Sequence, residues 1–301
     1  MLGYVSRQAA DLGMDPLALV VWRAGVALVA LLGFAAYILI TKRHRWIRPL
    51  ANFNRLPRRR RFALAIGITL SALLNVAIFA AFQRMAIAVV LITFYTFPAL
   101  VTLAAWPIYG DRLDARRLAA LTLSLGGLAL VLLAPALSGG TGLTVDPAGV
   151  ALALFAAGCQ TSFILIAGRG FAPMKSADMA TWLVTAGLVV GAIVLALVGD
   201  AGNLAAPTAE PQLWFWILIA GIAGAAIPTV WFMGGIARIG ASRTAILMTF
   251  EPLVGVTLAG LLLGEQPVPL QLVGGAAVVV AAVVLQTTPA RVPRESETPL
   301  A

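Results

Sequence analysis

The amino-acid sequence predicts an all-α, polytopic membrane protein made of two inverted five-helix repeats. Of its 301 residues, 61% are hydrophobic and only 11% are charged, which is too little polar surface to cover a soluble core. A helix that crosses a membrane needs about 20 apolar residues. Such stretches follow one another along the chain at 16–40, 62–82, 86–109, 118–137, 147–167, 177–198, 212–235, 241–263 and 268–286, which predicts nine complete transmembrane helices.

Positive charge alternates between the loops and predicts the orientation. Eighteen of the 21 Lys and Arg residues fall in loops on one side of the predicted membrane or in the C-terminal tail 287–301, and nine of them lie in loop 41–61. The loops 138–146, 199–211 and 264–267 contain none. Because cytoplasmic loops carry the excess of basic residues, loop 41–61 and the C-terminus are predicted to be cytoplasmic, in a multi-pass protein of the cell inner (cytoplasmic) membrane.

Composition argues against several kinds of protein. The net charge of +9 lies mainly in short loops beside the spans, where it sets topology, so no nucleic-acid partner is predicted. The single cysteine, Cys159, excludes an internal disulfide, and the single histidine, His44, has no metal-ligand companions, so neither metal nor cofactor is predicted. No GxxxxGK[ST] motif is present, which argues against ATP hydrolysis. The run Arg58–Arg61 sets topology and could also touch anionic lipid headgroups.

The chain contains an internal repeat. Shifted by 154 residues, 61–111 lies over 215–265 without a gap. Landmark residues then coincide, namely Gly67 with Gly221, Arg84 with Arg238, Pro98 with Pro252, and Gly110-Asp111 with Gly264-Glu265. A shift of 162 residues aligns Ala24-Gly25 with Ala186-Gly187. Because glycine and proline serve backbone requirements, their coincidence indicates two copies of one unit.

The repeats divide the chain into a first unit, 1–137, a second unit, 147–286, and a cytoplasmic tail. Span 147–167 of the second unit has no complete counterpart in the first. Residues 1–15 are therefore expected to be the stub of a first helix, most of which would precede the sequence.

An odd number of helices per repeat predicts that the second repeat inserts upside down. The charges agree, because Arg84 falls on the outer side of the predicted membrane whereas its partner Arg238 falls on the cytoplasmic side. Inverted repeats are the usual construction of secondary transporters, which bind their substrate near the bilayer midplane between the halves.

These motifs resemble the EamA-type permeases of the drug/metabolite transporter (DMT) superfamily, over essentially the whole chain. The resemblance is carried by Glu251-Pro252 followed by Leu263-Gly264-Glu265, by Pro98 followed by Gly110-Asp111, and by Asp15-Pro16 leading to Arg23. It implies ten helices, two cytoplasmic termini, and export or exchange of small metabolites such as amino acids. It says almost nothing about the substrate.

Two charged residues inside the spans are the strongest candidates for a site. Glu251 lies about ten residues into its span, where an ionisable group costs several kcal/mol unless it is paired or hydrated. It either couples transport to protons or fixes the helix structurally. Arg23 lies about two turns into its span and could pair with Glu251, clamp a substrate carboxylate with its planar fork, or extend to the headgroups.

Other polar, aromatic and helix-breaking residues lie at similar depth. Pro98 and Pro252 each remove a helix hydrogen bond, and their matching repeat positions favour a paired gating role over simple packing kinks. The candidates for lining a substrate cavity are Asn75, Tyr95, Gln160, Trp182 and Trp231. Two GxxxG pairs, Gly187/Gly191 and Gly260/Gly264, suggest close helix packing.

The function predicted from these observations is secondary transport of a small amino acid-like or amphipathic metabolite by alternating access. The predicted partners are a small-molecule substrate, the lipid bilayer and, through Glu251, protons, and the protein is expected to act as a monomer. An alternative is an inactive or structural membrane protein, such as a truncated transporter. A membrane-embedded lipid enzyme is disfavoured and no enzyme activity is predicted, because the spans lack a convergent set of catalytic groups.

Overall fold

The computed structural model is helical and contains no strand in the residues it describes, which are 2–42, 49–82, 84–85, 87–110, 114–137, 146–199, 201–251, 253–254 and 268–286. The helices of the first half are α1 (Leu2–Asp11), α2 (Pro16–Lys42), α3 (Pro49–Asn54), α4 (Arg58–Phe82), α5 (Ile87–Phe94), α6 (Phe97–Tyr109) and α7 (Ala115–Leu137). Those of the second half are α8 (Pro147–Gly168), α9 (Ser176–Val198), α10 (Ala206–Ala209), α11 (Leu213–Gly221), α12 (Ile227–Ile239), α13 (Ala241–Leu247) and α14 (Pro269–Gln286). A 3₁₀ turn (Ala201–Ala205) precedes α10, and a π-helical segment (Ile222–Ala226) joins α11 to α12.

Seven helical segments in the described part of the chain are long and apolar enough to cross a membrane. They are Leu17–Tyr37, Arg58–Phe82, Val89–Tyr109, Ala115–Ala134, Pro147–Gly168, Ser176–Leu197 and Leu213–Ile239. They coincide with seven of the nine spans predicted from the sequence. Span 241–263 is described only as far as residue 254, and α14 contributes a shorter apolar helix, Pro269–Ala281. The tail 287–301 lies outside the described residues, and the count of nine stays a prediction.

The N-terminal residues fold as a short helix packed against the bundle. Val5 and Ala9 of α1, with Met14 from the turn that follows, are buried together with Leu213 and Ile217 of α11. The turn itself contains Gly13 at φ 82°, a left-handed conformation that glycine adopts without strain. The predicted stub 1–15 thus supplies α1 and the connection into α2.

One end of the bundle gathers most of the described basic residues, and we call it the basic end. There the amide of Asn52 in α3 donates to the Asp178 carboxylate at 2.8 Å, and Asp178 also accepts from the Lys175 backbone N–H at 2.9 Å. Nearby, the Arg60 guanidinium donates to the Arg169 carbonyl at 2.7 Å. Because Asp178 is fully buried and its oxygens are satisfied, α3 is tied firmly to the start of α9.

The opposite end of the bundle is where α2 and α8 begin and α4 and α9 end. Arg84 pairs there with Asp146, the residue that caps α8, at 3.6 Å. The side chain of Asn203 accepts from the Asp15 N–H at 2.7 Å and donates to the Gly13 carbonyl at 3.1 Å. The structure therefore sorts the described loops onto two ends as the charge pattern predicts.

Helices at matching repeat positions pack against each other in antiparallel pairs. In the α7–α14 pair, the backbones touch at Gly127 and Gly274, where an added Cβ would lie 2.5–2.6 Å from the partner's carbonyl oxygen. On one side of this crossing Gln271 donates to the Val131 carbonyl at 3.3 Å, and on the other Leu121 packs near Ala281. Residue numbers rise along one helix as they fall along the other, which defines the antiparallel direction.

The α2–α9 pair has the same arrangement. A Cβ at Gly25 of α2 would lie 4.0 Å from Leu188 of α9, and one at Gly191 would lie 3.5 Å from Val21, so the two helices also run in opposite directions. The contact is looser than in the α7–α14 pair, because a Cβ at Gly187 would meet nothing within 4 Å. The largest buried core lies between these two pairs and includes the fully buried rings of Phe97 and Phe163.

Candidate functional site

The span that contains Pro98 is broken into α5 and α6. The break falls at Tyr95 and Thr96, which form a turn, and Pro98 then occupies the first turn of α6. A proline is tolerated there because the N–H groups of the first helical turn have no intrahelical partner. The Thr96 hydroxyl donates to the Thr93 carbonyl at 2.8 Å and so satisfies one acceptor that the break exposes.

A second break lies at the matching place in the other repeat. Helix α13 ends at Leu247, Met248 and Thr249 form a turn, and helix resumes at Phe250 and Glu251. The Thr249 hydroxyl donates to the Ile246 carbonyl at 2.7 Å. Pro252 lies outside the described residues, as does Gly260/Gly264, so the predicted roles of these residues stay predictions.

The two breaks meet at Tyr95 and Glu251. The Tyr95 hydroxyl donates to Oε2 of Glu251 across a distance of 3.4 Å. Tyr95 is only 4% exposed, whereas the Glu251 side chain is exposed. Further along the same two elements, the hydroxyls of Thr102 and Ser242 are 3.2 Å apart. The broken helices therefore cross in antiparallel fashion, with a carboxylate at the crossing.

A cavity of about 180 Å³ lies between α2, α4, α9 and the π-helical segment. Its polar lining comes from Arg23, Ser71, Asn75 and Thr229, and the remainder is mostly apolar side chains and glycines. The amide of Asn75 donates to the carbonyl of Ser71, one turn earlier, at 2.9 Å. Arg23, Asn75 and Thr229 come from three separate helices, so tertiary folding has brought predicted polar residues to one space.

Arg23 is the most unusual group in this lining. Its Nε atom is buried and has no hydrogen-bond partner among the described residues. The guanidinium interacts electrostatically with Glu251, although the two groups do not come within the 4 Å of an ion pair. A buried cationic donor without a partner is costly, and a ligand acceptor would remove that cost.

The π-helical segment adds backbone polarity to the same cavity. The Ile227 N–H reaches back five residues to the Ile222 carbonyl, and Pro228 follows without an N–H of its own. One carbonyl of the preceding turn therefore lacks its helical donor, and Gly224 of that turn lines the cavity. Single π turns within α-helices are frequent at functional sites.

The remaining predicted residues lie elsewhere. The Gln160 amide is buried and contacts the Met248 sulfur at 3.9 Å, beside the second break. Trp182 packs on the Phe53 ring of α3, with ring centroids 4.9 Å apart, towards the basic end. Trp231 is 75% exposed and does not line the cavity.

Sequence reasoning missed several features of this site. It did not single out Ser71, the π-helical segment, or the contact between Tyr95 and Glu251. Pro228, which lies seven residues after the landmark Gly221, was a signal that could have directed attention to the segment.

Comparison with known proteins fits this architecture. A sequence model of the EamA-like transporter family matches residues 1–133 and again 147–287. The chain belongs to the EamA-like transporter family. Membership makes it a multi-pass membrane transporter of the drug/metabolite type, which confirms the resemblance inferred from the motifs.

A comparison with solved structures supports the overall fold. One crystal structure matches with a TM-score of 0.70 and 18% sequence identity, over 94% of this chain and 94% of its own. At that identity the match concerns the fold alone. No curated protein matches the chain.

Proposed function

We propose that this EamA-family protein is a secondary transporter that moves a small amino acid-like or amphipathic metabolite across the cytoplasmic membrane by alternating access. The observation that carries the proposal is the buried, unpartnered Nε of Arg23 in a cavity with Asn75 and Thr229, within electrostatic range of Glu251. Such a space offers one cationic group and neutral polar groups between apolar walls, with an acidic group nearby, which suits a small solute of mixed character.

Inverted repeats are part of the proposal, and three antiparallel contacts support them. An inverted two-fold axis requires each helix to cross its mate near the residue that is its own repeat partner. The crossings lie near Gly25 and Gly187 in α2–α9, near Thr96 and Phe250 at the two breaks, and near Gly127 and Gly275 in α7–α14. The first two pairs are equivalent by sequence position at shifts of 162 and 154 residues, and the third lies in helices at matching places of the two repeats, so a single inverted axis would account for all three crossings.

The chemistry assigned to the charged residues follows from their surroundings. Arg23 would bind an anionic group of the solute, because its planar fork matches a carboxylate. Glu251 would bind a proton or a cationic group, and the Tyr95 hydroxyl would hold it in place. A carboxylate near the middle of a bilayer is tolerated where it is paired or meets water, so Glu251 would face the aqueous path. The paired breaks that lead to Pro98 and Pro252 would act as gates.

Flux measured in proteoliposomes tests this proposal. Reconstituted protein is expected to take up members of a labelled amino-acid mixture, and Glu251→Gln is expected to lower that flux by about 10- to 100-fold, as for the loss of one charged hydrogen-bonding group. Glu210→Gln is the matched control, since Glu210 is an exposed carboxylate outside the spans, and it should leave flux unchanged. Equal flux from protein-free vesicles and from the wild type would favour the alternative of a structural membrane protein.

The energy source is tested in the same vesicles. A flux that rises with an imposed pH gradient, and loses this response in Glu251→Gln, is expected if Glu251 carries a proton. A flux that follows membrane potential but ignores the pH gradient would restrict Glu251 to solute binding or structure.

A further inference from the structure

A second concave site lies at the basic end, outside the transport path proposed above. It is a groove of about 460 Å³ between the start of α4 and the ends of α6 and α8. Its charged lining is Arg59, Arg60 and Arg169, and its apolar wall includes Ile108 and Leu165. The groove therefore combines a cluster of guanidinium groups with an apolar surface.

Within the part of the chain that the structure describes, the positive charge of this groove has no internal counter-charge. The sequence has no acidic residue between Asp15 and Asp111, so α4 and α6 contain none. Among the described residues, no carboxylate lies within 4 Å of the three arginines. The contact from Arg60 to the Arg169 carbonyl, at 2.7 Å, fixes the spacing of α4 and α8 but neutralises nothing. An external anion is the group that the site lacks.

The position of the groove indicates where that anion comes from. The groove opens at helix ends, next to the last turn of α6, where the Trp106 indole is 59% exposed and the Tyr109 hydroxyl donates to the Leu165 carbonyl. Tryptophan and tyrosine concentrate at the membrane–water interface, at the depth of lipid headgroups. A water-soluble anion would gain nothing from the apolar wall, whereas a lipid uses both parts.

We propose that this groove binds an anionic phospholipid, with the headgroup phosphate on Arg59 and Arg169 and an acyl chain along Ile108 and Leu165. Arg60 is a positioning residue, since its guanidinium holds the Arg169 backbone. The site is separate from the cavity around Arg23, so its lipid would be a bound structural partner of the transporter and not its solute.

Binding of defined lipids to the purified full chain tests the proposal. Delipidated protein in neutral detergent is titrated with phosphatidylglycerol or phosphatidylcholine, and bound lipid is counted by native mass spectrometry. The wild type should bind phosphatidylglycerol at least about tenfold more tightly than phosphatidylcholine. Arg59→Gln combined with Arg169→Gln should weaken phosphatidylglycerol binding on the order of 20-fold, from about fivefold per arginine near a charged lipid.

The matched control is Arg58→Gln combined with Arg116→Gln. Both residues are exposed arginines that do not line the groove, and the change in net charge is identical. This control should weaken binding less than about twofold. If it weakens binding as much as the groove variant, the attraction is non-specific and the proposal fails.

Two further arms identify the ligand and guard against misfolding. Ile108→Asn should weaken lipid binding, because it makes the apolar wall polar. Inorganic phosphate at millimolar concentration should not displace the lipid. Full displacement by phosphate would mean a free-anion site and would overturn the proposal. If the double variant unfolds, Arg59→Gln alone serves, since Arg59 is exposed in the first turn of α4, and it should lower affinity about fivefold. Equal binding of the two lipids by the wild type would also overturn it.

Discussion

Arg23 concentrates the chemistry of the cavity in a single side chain. A guanidinium has five N–H donors in a fixed plane, and here the Nε donor is buried without a partner among the described residues. Glu251 is near enough to stabilise the charge electrostatically but does not contact it. The arrangement keeps a cation inside the membrane while leaving the Nε donor free for a solute.

The geometry of this fork predicts a difference between two substitutions. Arg23→Lys keeps the charge but loses the planar pair of donors, so the solute affinity should fall about tenfold. Arg23→Gln loses both the charge and the donors, so the solute affinity should fall about 100-fold, as for charge-assisted hydrogen bonds. Solute binding to the purified protein, followed by calorimetry, measures both.

Arg84→Gln is the control for these substitutions. It breaks an ion pair that is about half exposed at the opposite end, where such pairs contribute little, and should leave affinity unchanged. Equal affinity in Arg23→Lys and the wild type would show that a point charge suffices and that the fork has no role.

At this scale the sequence predicts the depth of a residue along its span, but not the direction in which its side chain faces. Asn75 and Trp231 were both assigned to the middle of a span, yet Asn75 lines the cavity whereas Trp231 is exposed on the outside. A soluble helix shows its buried face as an apolar stripe, but a membrane helix is apolar all round. The rotation of each helix about its axis therefore depends on tertiary packing, which periodicity does not reveal.

Among the described glycines, the closest approach to another helix's backbone is at the α7–α14 crossing. Gly127→Ala would place a methyl group 2.6 Å from the Gly274 carbonyl oxygen, and neither backbone can move away easily. The substitution should cost about 1–3 kcal/mol of stability and lower the thermal midpoint of the detergent-solubilised protein.

Its neighbour in the chain supplies the control. Gly126→Ala meets nothing within 4 Å and should leave the midpoint unchanged or slightly higher, because alanine favours helix. The same midpoint for Gly126→Ala and Gly127→Ala would contradict the close crossing.

The sequence predicted the presence of close packing but placed it at other glycines. Gly187 of the predicted GxxxG pair has open space around its Cα, whereas the adjacent glycines at 126–127 and 274–275 include the contact. Similarly, Pro98 was predicted to interrupt its helix, and the structure places the break just before it, at Tyr95 and Thr96. A proline fits the first turn of a new helix, so the chain breaks just before it.

At the scale of the whole molecule, the unequal positive charge of the two ends predicts the orientation of the protein in the membrane. The basic end should face the cytoplasm, because it holds the positively charged loops. In a Cys159→Ala background, a cysteine at Asn54 should resist a membrane-impermeant maleimide added to intact cells, whereas one at Gln212 should react. Both positions are exposed, one at each end.

Permeabilised cells provide the control, since both cysteines should then be labelled. The reverse pattern in intact cells would invert the topology. The order of the spans and their grouping at two ends were accessible from hydropathy and charge, because the bilayer imposes both. The cavity was not, since it depends on how four separate segments pack.

The glycine contact between α7 and α14 also decides how the two halves can move. Each backbone carbonyl there lies against the other helix, so sliding along the pair is blocked, and rotation about the contact is the motion that remains. The contact is in effect a pivot, and the looser α2–α9 pair lies across the buried core from it. A turn of a few degrees at Gly127 would therefore move the α2–α9 pair, which carries Arg23, further than it moves the contact itself.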